Sequence, residues 1–179
     1  MSYYGNFTTH KVVEMNQSTG LRTGHMVAQT RLDVASGDSF DNGFILALDT
    51  EKDALKLATG TESRVFIHFT EEYQPIMKVG LKYFSVPLME DADKNKYCYP
   101  RAIALYENDA WTTDNFTGEF ATEGTTWAEI ENGVLALKSA KPEAGKHIFL
   151  AKKTTLPDGT TDAAQFIYVG RELAAGGQG

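Results

Sequence analysis

Asn-Gly and Asp-Gly steps set between short β-branched and aromatic runs constrain this chain more than any other feature. Asn42-Gly43, Asn132-Gly133 and Asp158-Gly159 put residues that tolerate a left-handed backbone where one strand turns into the next. Ser36-Gly37, Thr59-Gly60 and Glu123-Gly124 add softer turn signals. Between them lie runs of strand length: Lys11–Met15, His25–Asp33, Phe44–Leu48, Arg64–Phe69, Pro100–Tyr106, Val134–Leu137, His147–Ala151 and Gln165–Val169. Apolar positions at helical spacing are scarce; Asp49–Leu57, Glu71–Val79 and Asp162–Phe166 come nearest and none is sustained. The pattern predicts a mainly β fold, an antiparallel β-sandwich or β-barrel-like domain with extended termini and little helix.

The 179 residues fit one domain. Residues 11–172 read as its β-rich body, with an insertion or long loops at about 83–120. Residues 1–10 read as an N-terminal arm and 173–179 as a Gly-rich tail with nothing to hold it in place. Tyr3, Tyr4 and Phe7 are the candidate interface residues, because aromatic side chains anchor protein contacts well. Asn42–Leu48 and Asn132–Leu137 echo each other. A duplicated β-unit explains that echo; two independent Asn-Gly hairpins explain it more simply.

Charge narrows the partners. With 17 Lys+Arg against 24 Asp+Glu the net charge is −7, the wrong field for phosphate neutralisation, so no nucleic acid is expected. Apolar runs such as Phe44–Leu48 fall far short of the ~18 residues of a membrane span, and the first residues lack the basic and apolar regions of a secretory signal. Ala102–Leu137 holds seven carboxylates and no Lys or Arg; Lys138, Lys141, Lys146, Lys152 and Lys153 follow. The two blocks form either complementary faces that order subunits, or a solvated acidic region beside a lysine-guarded edge strand.

Catalytic constellations are missing. His10, His25, His68 and His147 have no second histidine at ligand spacing, and His68, opposite in facing to Ile67, is predicted on a wet or interface face. Asp91-Ala92-Asp93-Lys94-Asn95 begins like a calcium loop but carries Lys96 and Ala102 where Gly and Glu are needed. Asp38, Asp41, Asp49, Glu51 and Asp53 read as turn residues. Cys98 reads as a small buried hydrophobe, and neither a nucleophile elbow nor a phosphate-binding loop is present. The sequence therefore assigns no catalytic, cofactor-binding or metal-ligating residue. Trp111, Trp127, Tyr97, Tyr99 and Tyr106 could build a sugar platform, although aromatic residues of a β domain mostly belong to its core.

The stretch Asp33–Asp38, then Asn42–Asp49, then Ala54–Thr59, together with the closing Phe166–Arg171, resembles the capsid decoration (cement) proteins of tailed bacteriophages over about a third of the chain. The resemblance implies a non-enzymatic β domain that binds the outer capsid lattice through the major capsid protein, often as a trimer. It implies a place on the capsid exterior of the virion after synthesis in the host cytoplasm. Other virion parts, such as a tail-tube, neck or head-fibre component, and a carbohydrate-binding β-module are the alternatives.

Overall fold

A computed structural model describes residues 11, 13–27, 30–37, 39–70, 72–74, 79–81, 86–156 and 159–172. Along the chain run β1 (Val13–Gln17), α1 (Thr19–Thr23), β2 (Met26–Val27), β3 (Leu32–Val34), β4 (Ser39–Phe40), β5 (Ile45–Asp49), β6 (Ala54–Leu57) and β7 (Phe66–His68). Then come β8 (Glu72–Gln74), β9 (Val79–Leu81), β10 (Val86–Pro87), β11 (Met89–Glu90), β12 (Lys96–Cys98) and β13 (Ala102–Ala104). The last six strands are β14 (Ala110–Thr113), β15 (Phe116–Thr117), β16 (Thr126–Glu131), β17 (Val134–Lys138), β18 (His147–Thr155) and β19 (Asp162–Arg171). The described residues are mainly β, in a sandwich- or barrel-like arrangement.

A seven-stranded sheet has the order β1-β14-β19-β18-β16-β17-β15, and an eight-stranded sheet the order β11-β12-β3-β6-β5-β7-β13-β2. Alternation explains how they pack. Ile45, Ala47, Ile67 and Ile103 point from the eight-stranded sheet into one core, where they meet Trp111, Ala128, Ile130, Leu135, Phe149 and Phe166 of the other sheet. Their neighbours Leu46, Phe66, Ala102 and Ala104 point the opposite way, into a second cluster with Leu32, Phe40, Leu55 and Cys98. The pair β4–β10 contributes Phe40 and Val86 to this cluster. Strands buried on both faces read as continuous apolar runs, which is why Phe44–Leu48 and Arg64–Phe69 are legible.

The two Asn-Gly steps do different work. Asn132-Gly133 is a two-residue hairpin turn, with Asn132 at φ +51°, Gly133 at +77° and Glu131 paired with Val134. It also joins the sheets: the Ile45 N–H donates to the Gly133 carbonyl at 2.6 Å, and the Gly133 N–H donates to Ala58 O at 2.9 Å. Asn42-Gly43 is no hairpin turn, because β4 pairs with β10 while β5 pairs with β6 and β7. The echo is not matched by equivalent pairing either, since β17 lies between β16 and β15.

The polar Ser18-Thr19-Gly20 step opens a single helical turn, α1, capped by Ser18 Oγ on the Leu21 N–H at 3.2 Å and closed by Gly24 at φ +71°. The segment about 83–120, read as an insertion or long loops, supplies strands to both sheets, β12 and β13 to one and β14 to the other. β13 lies inside the run Pro100–Tyr106 that reads as a strand, whereas β12 and β14, three and four residues long, are too short for a period of two to show in sequence. Likewise the single strand read over His25–Asp33 is two, β2 at one edge of the eight-stranded sheet and β3 within it. The arm at 1–10 and the tail at 173–179 lie outside the described residues.

The charge blocks do not stand apart. The β16–β17 hairpin brings Glu129 and Glu131 to Lys138, at 3.4 and 2.5 Å, and Lys146 reaches Glu129 at 2.7 Å. Acidic and basic stretches that follow each other in sequence are thus folded onto each other.

Candidate interaction site

Tyr3, Tyr4 and Phe7 lie outside the described residues, as does His10. The other histidines are accounted for by internal contacts. His68 is fully buried rather than on a wet face: its Nδ1 stands 2.7 Å from Asp41 O and its Nε2 2.8 Å from Thr70 Oγ1. Burial drives its pKa down to about 4, so the ring is neutral and bridges two loops. His147 is also buried, between Tyr168 Oη at 2.6 Å and Glu62 O at 2.7 Å, and burial lowers its pKa as well. His25 Nδ1 contacts the Tyr106 hydroxyl at the surface. Cys98 is buried, and desolvation pushes its thiol up to about 12, the opposite of an activated nucleophile.

The carboxylates are likewise engaged. Buried Asp109 accepts from the Thr19 N–H at 2.7 Å and the Tyr106 N–H at 2.9 Å, so it anchors α1. Asp91, first residue of the calcium-like stretch, accepts from the Asp93 and Asn95 N–H groups at 3.0 and 2.9 Å and from the Arg31 guanidinium at 2.9 Å. The guanidinium and the Asn95 N–H hold its carboxyl down at about 2. A cation site needs oxygens free to bind metal, and here a guanidinium and N–H groups take them. Among the described residues no group of three or more His, Cys, Asp or Glu could hold a metal ion.

The sugar platform drawn from sequence is not assembled. Trp111 is wholly buried against Phe149 and Phe166 in the main core. Trp127 sits on the outer face of the seven-stranded sheet, and Tyr106 beside His25. Tyr97 and Tyr99 do come together, edge to face at 5.7 Å, on the other sheet.

That pair belongs to the surface best suited to bind another molecule. Tyr97 is paired with Met89 across β11–β12 and with Asp33 across β12–β3. Cys98 points into the second core cluster, so Tyr97 and Tyr99 face the other way. The Arg31 guanidinium lies 4.3 Å from the Tyr97 ring centre, steered there by Asp33 at 2.5 Å and Asp91 at 2.9 Å. Met89 and Tyr99 are 41% and 45% exposed, high for large apolar side chains. An open groove of about 740 Å³ runs alongside, lined by Arg31, Asp33, Ser36, Gly37, Asn95 and Lys96. Lys96 Nζ donates to Gly37 O across it at 2.5 Å. Tyr, Met and Arg are the residue types enriched in protein interfaces, and here they form one patch at a sheet edge.

Sequence reasoning singled out Tyr97 and Tyr99 but not Met89 or Arg31. The available signal was the alternation in Tyr97-Cys98-Tyr99 and Arg31-Leu32-Asp33, whose central residues turn inward and whose flanks turn out. Among the described residues no helix is long and apolar enough to cross a membrane. No protein-family model, no curated protein and no solved structure matches the chain.

Proposed function

We propose that this chain is a structural virion protein that binds the outer surface of a phage capsid lattice and stabilises it, with the major capsid protein as partner and no chemical reaction of its own. The patch of Met89, Tyr97, Tyr99 and Arg31 carries this reading: it pairs exposed apolar bulk with an arginine already oriented by two carboxylates. The resemblance of Asp33–Thr59 to decoration proteins and the net charge of −7, suited to the outside of a DNA-filled shell, support it. Adhesion comes from burying the tyrosine and methionine side chains at a junction of the lattice, with Tyr3, Tyr4 and Phe7 adding grip. A stable interface buries roughly 1,000 Å² or more, which many copies, or an oligomer such as a trimer, reach by acting together.

Co-sedimentation with undecorated shells tests the proposal. The wild-type chain pellets with shells, and a Met89→Ala/Tyr99→Ala variant of unchanged circular dichroism stays in the supernatant. A wild-type chain that ignores every shell, or a double variant that pellets equally well, overturns it.

A further inference from the structure

The outer face of the seven-stranded sheet carries two side-chain rows of opposite character. Across four neighbouring strands the register aligns Ala110 with Ile167, Ile167 with Leu150, and Leu150 with Trp127. Two residues along, it aligns Glu14 with Thr112, Thr112 with Gln165, and Gln165 with Lys152. Between the rows Trp111 and Phe166 point into the core and Ala151 packs against it, which places both rows on the outer face. The apolar row is about 14 Å long and the polar row runs beside it at about 7 Å, from strand spacing and rise. Ile167 and Val169 are 36% and 41% exposed. An open groove of about 370 Å³ follows the polar row, lined by Glu14, Asn16, Thr112, Lys152, Thr154 and Gln165.

A protein partner of ordinary size must cover about 800 Å² a side with a core depleted in charge. This apolar strip is about one side chain wide, widened only at Val169, and charged groups border it: Glu14 and Lys152 on one side, Glu129 with Lys138 and Lys146 on the other. A strip that narrow fits a chain one ring across. A pyranose offers an apolar C–H face to lie on Trp127, Leu150 and Ile167, and a rim of hydroxyls that both donate and accept. Amide and hydroxyl side chains such as Gln165, Asn16 and Thr154 do the same. The Lys141 ammonium, 5.9 Å from the Trp127 ring centre, makes only a loose contact that a stacked ring displaces.

We propose that this face binds a neutral oligosaccharide, stacked along Ala110, Ile167, Leu150 and Trp127 and hydrogen-bonded by the Gln165 row. The site is on the sheet opposite the Tyr–Met–Arg patch and does not depend on that patch's role.

The test is affinity electrophoresis and calorimetry of the full chain with maltohexaose, cellohexaose, xylohexaose and chitohexaose. At least one probe binds, and Trp127→Ala and Gln165→Ala each weaken it by about ten-fold or more. Tyr99→Ala binds as the wild type does. Gln165 is a surface residue, so its variant folds even where loss of Trp127 disturbs the sheet. Binding to none of the four probes, or binding unchanged in Gln165→Ala, overturns the proposal. So does a concentration-dependent doubling of mass in light scattering that Ile167→Glu abolishes, because a second copy then occupies the face.

Discussion

Asn42 and Thr70 hold each other by a reciprocal pair of hydrogen bonds: the Asn42 Nδ2 amide donates to Thr70 O at 3.2 Å, and the Thr70 N–H donates to Asn42 Oδ1 at 2.8 Å. The side chain acts as a short backbone segment that closes the gap between the loop before β5 and the end of β7. Asn42→Ala takes the partner from both Thr70 groups in a half-buried setting, at a cost of about 1–3 kcal/mol. Urea unfolding should show a lower midpoint at an unchanged slope; a shift worth less than about 1 kcal/mol contradicts this account.

Acid weakens the fold through His68. Its folded-state pKa of about 4 lies below the ordinary 6.5, so the unfolded chain takes up a proton that the folded ring refuses. Stability from this group is complete above about 6.5 and falls as pH drops towards 4, by about 3 kcal/mol in all. His147, also shifted downward by burial, adds in the same direction. Unfolding free energy measured between pH 7 and 4 should fall, and His68→Gln should flatten that dependence. An equally steep profile in the variant refutes the assignment.

Trp111 fills the centre of the main core with 0% exposure, yet its Nε1 has no hydrogen-bond partner among the described residues. Packing rather than polarity therefore accounts for its contribution. Trp111→Ala should cost about 3–5 kcal/mol, whereas Trp111→Phe, which abandons no partner, should cost no more than about 2 kcal/mol. Equal losses in thermal unfolding would assign the indole N–H a role.

Gly133 sits at φ +77°, and a Cβ there would stand 2.8 Å from Leu57 Cδ2 and 3.1 Å from Ile45 O. Gly133→Ala should destabilise by about 1–3 kcal/mol, through the strained backbone and the pressure on the inter-sheet contact at Ile45. A melting temperature at or above wild type would show that this turn does not join the sheets.

Glu129 draws both Lys138 and Lys146, and the lysines, Lys146 foremost, hold its pKa below the ordinary carboxylate value. The lysines are partly exposed, so Glu129→Gln should cost only about 0.5–1 kcal/mol, and less in molar salt. A loss that persists unchanged in high salt would mean that packing, not charge, is what the variant removes.

Long or doubly buried strands were readable because their residues announce burial one after another. Phe44–Leu48, Val134–Leu137 and Gln165–Val169 all became strands, β5, β17 and β19, within a few residues of the expected limits. β12 and β14 escaped because three or four residues cannot display a period. His68 was read by alternation onto an open face, but that face of β7 is covered: its ring stacks on Phe40 at 4.9 Å. Burial of a strand's second face depends on which distant segment covers it.

Turn chemistry and apolar runs by themselves specified a mainly β chain, because backbone sterics at Asn-Gly steps and the cost of exposing apolar side chains act locally along the sequence. Only the tertiary structure decided which strands became neighbours. Residues 60 positions apart, Arg31 and Asp91, build the aromatic edge patch, and four strands in the order β14-β19-β18-β16 build the apolar row. Pairing partners and surface composition arise from long-range register, and a register spanning tens of residues leaves no mark on the local pattern of either strand.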